Sequence, residues 1–228
     1  MKPPQPMVFR RIVVYAVILL VTLVAPASAD NEGSPPWPEI AYIHGSIGIG
    51  IAVLSSGDIQ NYVDEKLDLA YDITNVGADF AYSLRTGFRN VAQFEYRLER
   101  GVGHKLFYDG GTTNSAEIDI NIDSEEWLAK LNPFFSLYDD PSVATFLMYG
   151  QGTAEYLDGF GAGFSDGDKT ILGVEITKMY RYYGFSVSLE HHSITFNQAF
   201  VDNELDVSRE FDASYWIIQG SVSAGFGL

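Results

Sequence analysis

The sequence predicts an all-β protein: one eight-stranded antiparallel up-and-down transmembrane β-barrel with short periplasmic turns and long extracellular loops. Three observations predict it. Apolar and polar residues alternate with a period of two in run after run. Several runs approach or exceed the roughly 9–11 residues a tilted strand needs to cross a bilayer, against about 5–6 for an average soluble strand. The connections between runs alternate between short and long, as they do in barrels that span a membrane.

The N-terminus reads as an export signal, residues 1–29. Lys2, Arg10 and Arg11 form a basic start, an apolar stretch runs from Ile12 to Ala25, and Ala27-Ser28-Ala29 offers a cleavage site before Asp30. That stretch is shorter than the roughly 18 residues of a spanning helix. A short lead-in, 30–38, then precedes a single barrel domain, 39–228. Of the 14 Lys+Arg three lie in the signal, so the remainder sets 11 against 30 Asp+Glu. So acidic a chain repels nucleic-acid phosphates and excludes that class of partner. The chain has 0 Cys, which excludes a disulfide framework, a thiolate nucleophile, a Cys-rich metal site and a lipid-anchoring cysteine.

The runs follow in order. Ile43, Ile47, Ile49, Ile51 and Val53 share one face of the first, opposite His44, Ser46, Gly48, Gly50 and Ala52. Phe80, Tyr82, Leu84 and Phe88 oppose Asp79, Ser83, Arg85 and Arg89 in the second. After a tight turn near Asn90, Phe94, Tyr96 and Leu98 oppose Gln93, Glu95, Arg97 and Glu99. The fourth run changes parity: Ile118, Ile120 and Ile122 fall in one register, Trp127, Leu131, Phe135 and Leu137 in the other. That predicts a bulge or break near Ser124–Glu126. The fifth, about 143–156, has no clean apolar face. Leu172, Val174 and Ile176 mark the sixth, and Tyr183, Phe185, Val187 and Leu189 the seventh. Trp216, Ile218, Val222, Ala224, Phe226 and Leu228 mark the last, against Tyr215, Gln219, Ser221, Ser223 and Gly225. Short connections are expected at Arg89–Asn90, Tyr138–Ser142 and Arg181–Tyr182. Long polar ones are expected near 55–70, 101–116, 157–168 and 197–211.

Alternation does not say which face points out, and a soluble periplasmic β-protein would turn its apolar faces inward. The run lengths, the Gly and Ser interleaved with both charge signs on the polar faces, and the one-sided final strand favour a lipid-facing apolar side. Eight strands enclose an interior filled by side chains. Asp79, Arg85, Glu95, Arg97, Glu175 and Glu190 are the expected filling, which argues against a diffusion pore. "SLRTGFRNVAQFEYRLERG" and "YWIIQGSVSAGFGL" resemble the second hairpin and closing strand of the small eight-stranded outer-membrane barrels, the class of the transmembrane domain of outer-membrane protein A. The resemblance covers most of 39–228. It implies residence in the outer membrane, contact with its lipid and lipopolysaccharide, and insertion by the barrel-assembly machinery. One departure is Leu228, where such barrels end in Phe or Trp; Phe226 holds that face two residues earlier.

"SLEHHSITF" poses the functional question. Continued register puts His191, Ser193 and Thr195 on the lipid face and Glu190, His192 and Ile194 inside. A tilted strand climbs about 2.3 Å per residue, so His191 stands roughly 19 Å above Tyr183 in an apolar band of ~25 Å. A histidine two residues from a serine on one face can serve as its general base. An acid from the final strand, Asp212 or Glu210, would orient the imidazole, with Glu204 a weaker third choice. His191-His192-Ser193 resembles the His-x-Ser of the lipid A 3-O-deacylase family. The resemblance implies an esterase with Ser193 as nucleophile, His191 as base and Asp212 in place of the family's downstream Glu. This chain departs from it in having Ile194-Thr195 where the family has Asn-Ala. The plainer reading leads: polar residues stand where a strand leaves the hydrocarbon, and His192 beside Glu190 is a lumen partner. The role is then envelope structure, or surface contact with an extracellular ligand through the loops.

The remaining signals are bland. "GSIGIG" lies within a strand with no helix after it, so it is room for a crowded lumen and not a nucleotide loop. Asp166-Gly-Asp168 lacks the other ligands of a calcium hand. With Asp109 and Asp158 it reads as solvated loop charge that shares divalent ions with the lipopolysaccharide surface. His44, His104 and the 191/192 pair lack metal-ligand spacing. No cofactor and no metal is expected.

Overall fold

In the computed structural model, the described residues are 41–54, 76–88, 90–107, 117–134, 142–158, 163–180, 182–201, 204–206 and 211–227. The signal, the lead-in, the 55–70 connection, Arg89, Asp109, Phe135, Leu137, Glu210 and Leu228 lie outside them. So do the side chains of His104, Asp158, Asp166 and Glu204.

Eight strands make the wall. They are β1 (Ala41–Leu54), β2 (Val76–Phe88), β3 (Ala92–Phe107), β4 (Glu117–Leu131), β5 (Val143–Asp158), β6 (Gly163–Met179), β7 (Tyr183–Val201) and β9 (Phe211–Gly227). A three-residue strand, β8 (Glu204–Asp206), pairs only with the far end of β7. Sequential neighbours pair antiparallel from β1 to β7, β7 pairs β9, and β9 returns to β1 from Tyr42↔Gly227 to Leu54↔Tyr215. Closure satisfies the backbone of every wall strand without leaving an edge, the condition for standing in hydrocarbon.

Orientation is decided by exposure. Ile49 is 61% exposed, while Arg97 is 0% exposed. Ile43, Ile47, Ile51, Leu84, Leu172 and Val222 face out with it. Around the short-turn end stand Phe88, Phe94, Tyr182, Tyr183 and Phe226, all exposed, as an interfacial aromatic girdle does. Within that girdle Tyr183 stacks on Tyr180 at 4.7 Å. The fold is a closed eight-stranded barrel of the outer-membrane type, apolar outside and polar within.

The short turns are tied by hydrogen bonds. Val91 N donates to Phe88 O (3.2 Å), and Asn132 donates to both neighbours of that turn, N to Val91 O and Nδ2 to Asn90 O, each at 2.8 Å. Asn132 Oδ1 then accepts from Phe134 N, which starts the next turn.

Two expectations are corrected. The parity of β4 does not break near Ser124–Glu126: β4 pairs β5 without interruption from Ile120↔Asp158 to Leu131↔Leu147, and the pairing shift beside Ser124 is on the β3 side, between Glu99↔Ser124 and His104↔Ile120. Ile122, Ser124, Glu126, Leu128 and Lys130 all point inward, while Trp127 and Leu131 point out. What changes along β4 is the polarity of the surroundings, not the register. The upper lumen is apolar and accepts Ile122, while the outer face at that height carries Asn121, Asp123 and Glu125. The same inversion explains the upper part of β5, where Ala154 and Tyr156 are buried as Gln151, Thr153 and Glu155 face out. Lower down, Ala144, Phe146 and Met148 are buried opposite the exposed Leu147 and Tyr149, so both faces are apolar. Secondly, the strands run well into the connections expected at 101–116, 157–168 and 197–211, through Phe107, from Gly163 and to Val201. The register shifts, at Ala78/Phe80, Glu99/His104 and Ala154/Tyr156, sit toward this end, leaving the pairing below them regular.

Candidate functional site

Two places hold polar side chains that could act chemically: the outer face near the top of β7, and the lumen. On the outside, the registers of β5, β6, β7 and β9 align three successive rows. The lowest is Tyr149, Leu172, His191 and Trp216; the next is Gln151, Thr170, Ser193 and Ser214; the third is Thr153, Asp168, Thr195 and Asp212. Apolar and aromatic side chains thus give way to hydroxyls and an amide, then to carboxylates, within four residues. Around the wall, Arg100 reaches Asp123 (3.6 Å) and Glu125 (3.9 Å), and Tyr96 Oη donates to Glu125 (3.3 Å). This gradient marks where the wall leaves hydrocarbon.

His191 and Ser193 lie on one outward face, as the alternation predicts. His191 is half-buried, its ring 4.7 Å from that of Trp216 at a 58° tilt. Asp212 stands opposite Thr195 and accepts the Thr195 hydroxyl at 2.7 Å. Four residues of strand separate Thr195 from His191, about 13 Å. The structure therefore sets His191 and Ser193 two positions apart on one outward face and places Asp212 beside Thr195. The partners missed in the sequence, Trp216 and Thr195, required the β7–β9 register, which alternation alone does not supply.

The lumen is layered. At the short-turn end Tyr42, Ala144, Phe146 and Met179 form a buried apolar plug, with Gln93 Nε2 donating to Tyr42 Oη at 3.0 Å. Tyr42 lies over Gly87, where any side chain would occupy the phenol ring's place. Above the plug, Arg85 and Lys130 engage Glu95 and Glu175: Arg85 Nε to Glu95 at 3.1 Å, Lys130 Nζ to Glu175 at 2.7 Å, and the crossed pairs as well. Ser186 and Ser221 accept from Arg85 at 3.0 and 3.1 Å.

A second charged tier follows. Arg97 bridges Glu190 (2.6 Å), Glu126 (3.3 Å) and Glu99 (3.6 Å), and reaches down to Glu95 (3.2 Å). Lys169 Nζ lies between Glu99 (2.5 Å) and Glu126 (2.7 Å) and donates to Ser124. Asp79 accepts from Gln219 at 2.6 Å. Ile122, Tyr156, Ile194, Phe196, Tyr215 and Ile217 close the upper end, all buried.

Every side chain named as filling from the sequence is buried here, and His192 meets Glu190 at 3.0 Å as expected. Glu126, Lys130 and Lys169 were missed. The first two would have followed from carrying the parity of β4 through the supposed break. Glu99, Glu126 and His192 place ligand atoms within 4.8 Å of one another, the only such group among the described residues. The Lys169 ammonium stands between the Glu99 and Glu126 carboxylates. Chemically, the lumen is a set of ion pairs that cross-link strands on opposite sides of the wall.

No protein-family model and no curated protein matches the chain. Solved structures do resemble it. Neisserial surface protein A is 13% identical with a TM-score of 0.44, over 82% of this chain and 97% of that one. The outer membrane protein OprG from Pseudomonas aeruginosa is 13% identical with a TM-score of 0.42, over 85% and 99%. The outer membrane protein AlkL, solved in DMPC lipid bilayers, is 16% identical with a TM-score of 0.33, over 88% and 95%.

Proposed function

We propose that the chain is an integral protein of a Gram-negative outer membrane whose sealed barrel serves envelope structure or presents its long connections for surface contact. One observation carries this: apolar layers at both ends enclose a charged lumen whose ion pairs are fully buried. The barrel then stands in lipid and lipopolysaccharide, is inserted by the barrel-assembly machinery, and conducts nothing. Membrane fractionation with heat-modifiable gel migration tests residence, and planar-bilayer recording tests the seal. Recovery in the soluble fraction, or stepwise ion currents from the purified barrel, would overturn the reading.

A second reading is an esterase acting on outer-leaflet lipid through Ser193. The common outward face of His191 and Ser193, at the height where side chains turn polar, supports it. The Thr195–Asp212 hydrogen bond weighs against it, since an orienting acid must turn toward His191. Mass spectrometry of lipid A from cells with and without the protein decides it. A lost acyl chain that returns with Ser193→Ala establishes the esterase; an unchanged acyl pattern removes it.

A further inference from the structure

The two charged tiers of the lumen differ in balance. The lower sets Arg85 and Lys130 against Glu95 and Glu175, two cations for two carboxylates. The upper sets Arg97 and Lys169 against Glu99, Glu126 and Glu190, two cations for three carboxylates. An unbalanced charge buried between apolar layers is costly, because a low-dielectric interior solvates it poorly and the surrounding lipid cannot screen it.

His192 stands where the missing charge is needed. Its Nε2 lies 3.0 Å from Glu190 Oε2 and its Nδ1 3.7 Å from Glu99 Oε2, with the ring fully buried. A neutral imidazole has one N–H, so one nitrogen would aim a lone pair at a carboxylate. A ring carrying N–H on both nitrogens donates to Glu190 and turns its second N–H toward Glu99 at ion-pair distance, without a hydrogen bond there. We propose that His192 is a proton-binding site built into the barrel, an imidazolium held between Glu99 and Glu190 that completes the upper tier. The proposal does not depend on the envelope or esterase reading.

The groups around it come from every adjoining element. Glu190 shares β7; Arg97 and Glu99 come from β3, Glu126 from β4 and Lys169 from β6. Tyr215 of β9 lies against the imidazole, ring to ring at 4.8 Å. Asp79 of β2 lies beside this ion-paired set and not in it: its carboxyl takes the Gln219 amide at 2.6 Å. Lys169 and Arg97 oppose a proton on His192, yet each is already engaged by two or more carboxylates. With His192 protonated, three cations face Glu99, Glu126 and Glu190. Deprotonation returns the tier to deficit, so the closed barrel loses stability as pH rises through that titration.

The test is nitrogen NMR of histidine-labelled barrel folded in lipid nanodiscs. The chain has four histidines, and His192→Gln identifies the relevant signal. At about pH 7 both ring nitrogens of His192 are expected to be protonated; a single-proton tautomer there overturns the proposal. The midpoint of heat-modifiable unfolding is expected to fall by at least about 3 °C between about pH 6 and about pH 9 in the unmodified chain. His192→Lys, which keeps the charge, is expected to remove that slope. An unmodified chain whose midpoint stays level over the range sinks the proposal even if the variants fail to assemble.

Discussion

At the scale of single residues, burial separates interactions that matter from those that do not. Lys130 is buried and is engaged by Glu95 and Glu175, so Lys130→Met leaves Glu175 to Arg85 alone and Glu95 to Arg85 and Arg97. A loss of about 3–5 kcal/mol is expected, read as a lower midpoint of heat- or urea-driven unfolding in detergent. Adding Glu175→Gln should cost less than the sum of the two single changes, because the second removes a carboxylate that the first left with Arg85 as its remaining cation. Thr195→Val, which breaks the exposed bond to Asp212, should stay within about 0.5 kcal/mol in the same assay. Sequence parity identified Asp79, Arg85, Glu95, Arg97, Glu175 and Glu190 as lumen side chains, but it missed Glu126, Lys130 and Lys169 and supplied no cross-barrel partners. Arg97 and Glu190 are 93 positions apart, and only closure brings them to 2.6 Å. The same limit applied to Asp212, whose true neighbour is fixed by strand register and not by chemistry visible in the chain.

At the scale of strands, two-residue alternation is legible wherever one side meets hydrocarbon and the other a polar lumen. β1 shows this along its length, with Ile47 and Ile49 out and His44 and Ser46 in. β4 and β5 cross from that environment into one where the outer face is wet and the lumen apolar, and their patterns invert there although the two strands pair with each other without interruption. The height of a residue therefore decides what a substitution costs. Ile47→Arg, on the lipid face in the middle of β1, should lower stability by about 2–4 kcal/mol, and Gln151→Arg, in the row of Thr170 and Ser193, by about 0–1. Unfolding titrations in lipid vesicles measure both. Equal costs at the two positions would mean that the polar rows do not mark the edge of the hydrocarbon.

For the whole molecule, the property on which the others rest is closure of the β1–β9 seam, which joins the two ends of the barrel sequence. Ser46 and Ser223 face each other across it, both inward and buried. Directly opposed strand positions hold their Cβ atoms about 4.5–5.5 Å apart, close enough for a disulfide with slight backbone adjustment. The chain has 0 Cys, so Ser46→Cys with Ser223→Cys supplies the only thiols and any crosslink must report this pair. Oxidation should leave a chain that, even after boiling in detergent, keeps most of its length in one covalent loop. It should then migrate faster than the reduced form, whose two ends separate. Moving one partner by a single residue, as in Ser46→Cys with Val222→Cys, turns the second thiol to the outer face and should abolish the crosslink. A crosslink of equal yield in both pairs would show a seam that slides, and the lumen tiers require one that does not. Arg85 on β2 reaches Ser186 on β7 and Ser221 on β9, and Asp79 on β2 meets Gln219 on β9, only in this register.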